Sequence, residues 1–251
     1  MIKGDQGVIP AQRDDPFLDM GCLHLPHDQC IGMEHRLPRS DICLHTATIL
    51  ATNHPQTHLT TLQAVNTDPE KPVTKAALRQ YASTLPRPTP EDAAQVVDHL
   101  YRHLSDRLPA TVVTYLALGD ECDLTDLVDR LPGWRWLYPR VPDDDPSSLS
   151  LHDRGGPLEH HRWGMEQPTD AAPIVDPIHV DVILVPGMLF STDGTRLGRG
   201  TGHYDRLLTR LHKNAERIGV TVDARLQDHI PREPHDIPMT AIVTESGFQP
   251  V

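Results

Sequence analysis

A glycine-rich turn in the last quarter of the chain carries the residue types that bind phosphate. The segment 196–206 reads Arg-Leu-Gly-Arg-Gly-Thr-Gly-His-Tyr-Asp-Arg, with glycine at every second position from Gly198 to Gly202. Glycine tolerates positive φ, and without a Cβ atom its backbone can lie close against a ligand. Arg196 and Arg199 add guanidinium groups that bind phosphate oxygens in a fork. The pattern predicts an anion site, and Asp205 could hold the magnesium ion that accompanies a nucleotide.

The elements that flank this turn would present it to a ligand. The apolar run from Val180 to Val185 predicts a buried strand before the turn. A helix is expected over 203–214, with Leu207, Leu208 and Leu211 on its inward face. The order strand, glycine turn, helix directs backbone N–H groups and a helix N-terminus to one place, which suits an anion.

The composition excludes several classes of protein. The chain has 251 residues and a formal net charge of −12 with neutral histidines, which argues against non-specific binding to nucleic acid or anionic membranes. No apolar run approaches the roughly 20 residues that span a bilayer, and no signal-peptide core is evident. We therefore expect a cytoplasmic monomer.

The cysteines fit no disulfide scaffold or common zinc module and are expected to be free thiols: Cys22, Cys30, Cys43 and Cys122.

The chain divides into two parts. Residues 1–71 lack sustained periodicity and are rich in His, Asp, Pro, Gln and Thr, so they cannot bury enough apolar surface to offset their ordering entropy. This part is expected to be a poorly ordered extension, or else to precede the true start of the working protein. Residues 72–251 are expected to form one α/β domain.

Helices and strands alternate through the second part. Helices are predicted at 75–84 after Thr74, from Thr89 onward, and at 124–131. Strands are predicted at 111–118, 135–141, 149–152, 180–185, 218–223 and 241–244. This alternation predicts a three-layer sandwich around a mainly parallel, doubly wound sheet. Ligands of such sheets bind beyond the carboxyl ends of the strands, where the glycine turn and Gly119-Asp-Glu-Cys are expected to lie.

Taken together, the motifs resemble a known family. Leu184-Val-Pro-Gly, followed by the glycine turn, is similar to the signature of the 5-formyltetrahydrofolate cyclo-ligases, also called 5,10-methenyltetrahydrofolate synthetases. Further pieces resemble the family and follow in its order: Lys75-Ala-Ala-Leu-Arg79, Tyr115-Leu with Glu121, Leu137-Tyr-Pro-Arg-Val141, Glu233-Pro-His-Asp236 and Val243-Thr-Glu245. The resemblance covers residues 73–250.

The resemblance implies an ATP-dependent ring closure. The formyl oxygen of 5-formyltetrahydrofolate attacks the γ-phosphate, N10 closes on the activated carbon, and 5,10-methenyltetrahydrofolate, ADP and phosphate result. ATP and Mg²⁺ are the implied cofactors, with Asp205 and Asp236 as metal ligands. The implied ATP-binding residues are Lys75, Ala76, Ala77, Leu78, Arg79, Arg196, Leu197, Gly198, Arg199, Gly200, Thr201, Gly202, His203 and Tyr204.

The resemblance also assigns residues to folate and to catalysis. Leu116 would line the folate pocket, and Glu121 would accept hydrogen bonds from the N–H groups of the pterin. Arg199 and Tyr204 would be catalytic, with Tyr204 where ATP and folate meet. Phosphoryl transfer depends on positioning and charge neutralisation rather than on covalent help, which suits these residue types.

Each of these residues also has a structural interpretation. Lys75 and Arg79 lie four apart on a helix, the usual spacing of a solvated face. Asp205 could be a helix N-terminal acid, Glu121 a turn acid, and Asp236 the cap of a turn. Their joint occurrence in the family's order favours the functional interpretation.

Several positions depart from the family pattern. Thr201 replaces a small residue or Lys, His203 replaces Tyr or Phe, and Ser191 replaces Asp. Gln167 stands where an acid is expected, and Arg225 where Gln is usual. These departures leave open a relative that binds folate or nucleotide without closing the ring. A sugar-phosphate isomerase rests on fold analogy alone, and a P-loop kinase is disfavoured because its motif is absent.

Overall fold

The computed structural model describes residues 74–251. The expected extension at 1–71 lies outside these residues, as do Cys22, Cys30 and Cys43, so those interpretations stay predictions. Cys122 is buried and unpaired, as expected. Within residues 74–251, no helix is long and apolar enough to cross a membrane.

Four α-helices, thirteen strands and two short 3-10 helices, Pro177–His179 and Asp223–Arg225, occur in the described part of the chain. The helices are α1 Lys75–Ala82, α2 Pro90–Ser105, α3 Thr125–Arg130 and α4 His203–Leu208. The strands are β1 Thr111–Val113, β2 Arg135–Arg140, β3 Ser150–Asp153, β4 Leu158–His160, β5 Glu166–Pro168, β6 Ile174–Val175, β7 Val182–Pro186, β8 Leu189–Ser191, β9 Arg196–Leu197, β10 Glu216–Val220, β11 Leu226–Gln227, β12 Ala241–Thr244 and β13 Gly247–Pro250.

An eight-stranded sheet organises the domain. Its strand order is β13-β12-β10-β7-β1-β2-β3-β6. The five strands from β12 to β2 are parallel, whereas β13, β3 and β6 pair antiparallel at the two edges. The predicted mainly parallel α/β sheet is confirmed. Because the central strands are parallel, their carboxyl ends open at one edge of the sheet.

Alternating side chains of the central strands build two cores. On one face, Val112, Val182 and Leu184 pack with α2 and α3. On the other face, Val113 and Ile183 pack with α4. Burial on both faces explains why β7 is an uninterrupted apolar run rather than an alternating one.

Helix α2 begins as its sequence predicts. The Thr89 hydroxyl accepts a hydrogen bond from the Asp92 backbone at 3.1 Å, and the Asp92 carboxylate accepts one from the Thr89 backbone at 2.8 Å. This capping box satisfies two donors at the start of the helix. The five residues of the predicted inward face are all buried: Ala93, Val96, Val97, Leu100 and Leu104.

Two elements end five or six residues before their predicted ends, and the other predicted boundaries, including that of the helix expected at 75–84, differ by three residues or fewer. The strand expected at 111–118 ends at Val113, because after the Thr114–Leu137 backbone hydrogen bond the chain turns away from β2 and crosses the carboxyl edge of the sheet. The helix expected at 203–214 ends at Leu208, where the Arg210 amide donates to the Leu207 carbonyl and tightens the chain into a turn. The segment that follows the shortened strand, including Tyr115 and Leu116, lines the site described below.

A smaller sheet carries the glycine turn. Strand β8 pairs with β11 on one side and with β9 on the other. Phe190 of β8 is fully buried and packs into space left by Gly187 and Gly219, where added Cβ atoms would lie 2.8 and 2.5 Å from its ring. The ring thereby fixes the small sheet, and the glycine turn that follows β9, against β10.

Gly219→Ala should destabilise the domain by about 1–3 kcal/mol, because the new methyl group overlaps a buried ring that has no room to move. Gly133→Ala is the matched control, since a Cβ atom there would have no neighbour within 4 Å. Urea unfolding of both variants measures the difference. Equal stability would contradict the close packing of Phe190 on β10.

Candidate active site

A cavity of about 440 Å³ opens at the carboxyl ends of β1, β2 and β7. The structure brings most of the sequence-predicted site residues to its walls: Lys75, Arg79, Leu116, Glu121, Arg196, Leu197, Gly198, Arg199, Gly200, Thr201, Gly202, His203, Tyr204, Asp205 and Asp236. Ala76, Ala77 and Leu78 do not line it. Leu78 instead packs beneath α1 against Met188. One wall of the cavity is therefore the polar face of α1, whose apolar face holds the helix in place.

The glycine turn has a backbone conformation that requires glycine. Gly200 and Gly202 have φ of 101° and 70°, which residues with a Cβ atom rarely adopt. A Cβ atom on Gly198 would lie 2.9 Å from the Arg196 guanidinium. Helix α4 has only six residues, so its dipole is short, and the backbone of the turn and the nearby cations are the main anion-binding features.

Arg196 and Asp205 form an ion pair at one side of the turn. The Arg196 Nη2 atom lies 2.7 Å from Asp205 Oδ1, and the guanidinium carbon lies 5.5 Å from the centroid of the Tyr204 ring. Arg196 is nearly buried. Its charge is therefore held at the cavity wall by a carboxylate rather than by solvent.

Lys75 and Asp236 form a second ion pair across the cavity. The Lys75 ammonium donates to Asp236 Oδ2 at 2.6 Å and to Glu233 Oε2 at 2.9 Å. Partial burial opposes the Lys75 charge, but the hydrogen bonds to Asp236 and Glu233 raise its pKa overall. Burial likewise opposes the Asp236 charge, and the bond from Lys75 lowers the pKa of that carboxyl. Both groups are charged at neutral pH.

Arg79 fastens α1 to the glycine turn. Its Nε atom donates to the Gly198 carbonyl at 2.9 Å, and its guanidinium lies 3.4 Å from the Cβ position of Gly200. The spacing of Lys75 and Arg79 therefore points both cations into the cavity, and the solvated-face interpretation is wrong for this helix. The Thr74 hydroxyl caps α1 by accepting from the Ala77 amide at 3.2 Å, as predicted.

The opposite half of the cavity is largely apolar and holds one enclosed carboxylate. Glu121 accepts a hydrogen bond from the Leu118 amide at 2.9 Å. Burial raises the pKa of Glu121, although the Leu118 amide and Arg199 partly counter it. Arg199 lies 3.5 Å from Glu121 and pairs more closely with Asp120. The guanidinium of Arg199 thus joins the glycine turn to this second half.

Tyr204 lies between the two halves of the cavity. Burial raises the pKa of its phenol well above the ordinary value, and Glu121 adds to the shift while Arg196 opposes it. The hydroxyl therefore keeps its proton at neutral pH and can donate a hydrogen bond, but it cannot serve as a base.

A hairpin that the sequence analysis missed completes the apolar half. Trp163, Met165 and Glu166 line the cavity from the β4–β5 hairpin. This stretch has short strands and no periodicity, so its hydrophobic pattern gave no sign of a pocket wall. The sequence offered two other signals: Gln167 stands at a position of the family pattern, and Trp163 is a large aromatic residue in a polar segment and is 45% exposed.

Two departures from the family pattern have clear structural roles. The Thr201 hydroxyl lies 2.9 Å from His203 Nδ1, and His203 Nε2 lies 2.7 Å from the Pro146 carbonyl. Arg206 donates to the Ser147 carbonyl at 2.5 Å. Thr201 and His203 therefore tie the glycine turn to the proline- and aspartate-rich loop after β2.

Two further departures are also accommodated. The Ser191 hydroxyl donates to Asp193 at 2.5 Å and helps to close the turn between β8 and β9. Arg225 is buried and donates to the carbonyls of Met188 and Pro86, both at 3.2 Å. It therefore links the floor of the cavity to the loop that follows α1.

One cluster at the cavity rim has donor atoms suited to a cation. Ligand atoms of Glu233, His235 and Asp236 all lie within 4.8 Å of one another. Oxygen ligands such as these carboxylates suit Mg²⁺. The residues present therefore fit a magnesium ion at the rim, with Asp236 closest to the phosphate-binding cations.

Comparisons with known proteins agree with this geometry. A family model described as the 5-formyltetrahydrofolate cyclo-ligase family matches residues 67–245. A Mycolicibacterium smegmatis protein named 5-formyltetrahydrofolate cyclo-ligase is 37% identical over 142 residues, which are 53% of this chain and 73% of that protein. An Escherichia coli K12 protein of the same name is 30% identical over 143 residues, 54% of this chain and 78% of its own.

Solved structures show the same architecture. The NMR structure of Aquifex aeolicus 5,10-methenyltetrahydrofolate synthetase has a TM-score of 0.61 and 28% identity, covering 70% of this chain and 92% of its own. A synthetase from Mycoplasma pneumoniae, with a TM-score of 0.56 and 22% identity over 69% of this chain and 99% of its own, supports the fold alone. The family match, the relatives and the fold together place this chain in the 5-formyltetrahydrofolate cyclo-ligase family.

Proposed function

We propose that the chain converts 5-formyltetrahydrofolate to 5,10-methenyltetrahydrofolate, with ATP cleaved to ADP and phosphate. The observation that carries this proposal is a cavity with two unlike halves. One half gathers Lys75, Arg79 and Arg196 around a glycine turn, and the other is apolar with a single enclosed carboxylate, Glu121. A polyphosphate suits the first half, and a flat ring system edged with N–H groups suits the second.

The cations of the first half would neutralise the phosphates as charge shifts during transfer. Carboxylates already hold Arg196 and Lys75 at the cavity wall before a phosphate arrives. Arg199 would reach the transferring phosphoryl group from between the halves. Tyr204 would donate a hydrogen bond to an oxygen at the same junction, since its phenol stays protonated.

Magnesium would be held by Asp236, which belongs to the rim cluster, and by Asp205, which lies outside that cluster. These carboxylates are now paired with Lys75 and Arg196. A bound magnesium ion would screen the phosphate charges. Binding of ATP with magnesium would involve an exchange of partners: the two carboxylates would turn from the cations to the metal, and Arg196 and Lys75 would turn to the phosphates. Opposite charges stay paired throughout, which avoids exposing a bare charge in the cavity.

The second half would orient the folate for attack. Glu121 would accept from N–H groups of the pterin, and Leu116, Met165 and Trp163 would cover the ring faces and exclude water. The formyl oxygen would then face the glycine turn. The monomeric state expected from the sequence stays a prediction. The cytoplasmic location expected from the sequence stays a prediction.

Purified protein with 5-formyltetrahydrofolate, ATP and Mg²⁺ should develop the near-ultraviolet absorbance of the methenyl product, in proportion to ADP released. Omission of ATP or addition of EDTA should abolish it. Tight folate binding with no product under the full conditions would instead support the non-catalytic relative that the departures from the family pattern left open.

Lys75→Met should raise the KM for ATP at least about tenfold, equivalent to ~1.4 kcal/mol, because it removes a cation from the phosphate side. The KM for 5-formyltetrahydrofolate should change far less. Lys213→Met, at an exposed position outside the cavity, is the matched control. A Lys75→Met enzyme with an unchanged KM for ATP would contradict the assignment.

The pH profile of kcat/KM for folate should show a group whose pKa lies above the ordinary glutamate value of 4.5, because burial raises the pKa of Glu121. Folate affinity should fall as pH falls through that value and the carboxylate gains a proton. Glu121→Gln should lose this acid limb and bind folate more weakly at neutral pH. A profile that Glu121→Gln leaves unchanged would show that another group is titrating.

A further inference from the structure

The β4–β5 hairpin is joined to the domain mainly through side chains. Strands β4 and β5 pair only with each other among residues 74–251 and form a separate two-stranded sheet. The hairpin nevertheless supplies Trp163, Met165 and Glu166 to the cavity wall. Some other interaction must therefore fix the position of this wall.

Arg140, at the end of β2, is the residue that makes this connection. Its side chain is 2% exposed, although it carries a full positive charge. Nη1 donates to Glu159 of β4 and, at 2.8 Å, to the carbonyl of Pro168 at the end of β5. Nη2 donates to Asp143 at 3.2 Å, and Nε lies 2.7 Å from Asp170. A single guanidinium thus contacts both strands of the hairpin.

Gln167 extends the same network and accounts for its own departure from the family pattern. Its side-chain oxygen accepts from the Val141 amide at 3.1 Å, and its side-chain nitrogen donates to Glu159 at 3.1 Å. A glutamate at 167 would lack the donor and would place a second carboxylate beside Glu159. The Gln167 amide therefore suits a site in which Glu159 already accepts a hydrogen bond from Arg140. That hydrogen bond lowers the pKa of the Glu159 carboxyl.

We infer that Arg140 is a positioning residue for the folate half of the cavity. It holds the β4–β5 hairpin so that Trp163 and Met165 face the substrate, and it does so without lining the cavity itself. This inference rests on the proposed function for the identity of the substrate. Arg140 is assigned no contact with ATP. The cations on the phosphate side, Lys75 and Arg196, are held by Asp236 and Asp205, and neither carboxylate belongs to the hairpin.

The charges around Arg140 make its removal tolerable for the fold. Glu159 is 41% exposed, and Asp143 and Asp170 are mostly exposed, so all three carboxylates can turn to water when the guanidinium is lost. Methionine can follow the aliphatic stem of arginine and fill much of the buried space. Arg140→Met should therefore loosen the hairpin without unfolding the domain.

The test measures steady-state kinetics and hydrogen exchange of the full chain carrying Arg140→Met. The KM for 5-formyltetrahydrofolate should rise about tenfold or more, as expected when a binding wall is misplaced, while the KM for ATP changes less than about twofold. Amides of residues 158–168 should exchange at least about tenfold faster, with α2 unchanged. Arg135→Met is the matched control, because Arg135 lies at the other end of the same strand and pairs with Asp153 at the surface.

Both readouts must change for the inference to stand. A raised KM for folate with normal exchange in 158–168, or faster exchange with a normal KM, would overturn it, as would equal effects on the KM for ATP. If Arg140→Met does not fold, Glu159→Ala at the partly exposed partner decides by the same two readouts. If the unaltered chain makes no product, the proposed function fails, and exchange in 158–168 alone decides whether Arg140 holds the hairpin.

Discussion

Charge pairing around the glycine turn is the constraint on which the site depends. Lys75 and Arg196 enter one cavity from different elements and would repel each other if each lacked a carboxylate partner. Asp236 and Asp205 supply those partners at 2.6 and 2.7 Å. The pairs hold the two cations in place at the cavity wall. They also explain how one pocket can hold both basic and acidic residues within a chain whose net charge is −12.

The parallel sheet determines where these charges meet. Strands β1, β2 and β7 end at the same edge, so the loops that follow them converge on one cavity. The left-handed backbone at Gly200 and Gly202 lets the turn fold back beneath α1, where Arg79 holds it. The apolar half of the cavity needs a separate wall, which the β4–β5 hairpin provides. A parallel sheet, a glycine turn and a tethered hairpin thus contribute different parts of the site.

Much of this arrangement could be predicted from the sequence, and the rest depends on tertiary contacts. Strand β7 could be predicted from its uniform apolar run, and the start of α2 from the cap at Thr89. Both signals lie within a few neighbouring residues of the sequence. The length of the helix after His203 could not be predicted, since Arg210 leaves it to bind the Leu149 carbonyl. The hairpin was missed because it is held by the buried Arg140, whose partners are up to thirty positions away along the chain.

The most direct test of the account is a crystal structure of the protein with Mg²⁺, a non-hydrolysable ATP analogue and 5-formyltetrahydrofolate. The account predicts the phosphates on the backbone of residues 198–202, with Lys75 moved from Asp236 to a phosphate oxygen and Asp236 turned to the metal. The pterin should lie against Leu116 with its N–H groups on Glu121. Nucleotide bound elsewhere, or a Lys75–Asp236 pair that stays closed beside bound ATP, would contradict the exchange of partners on which the proposed site is built.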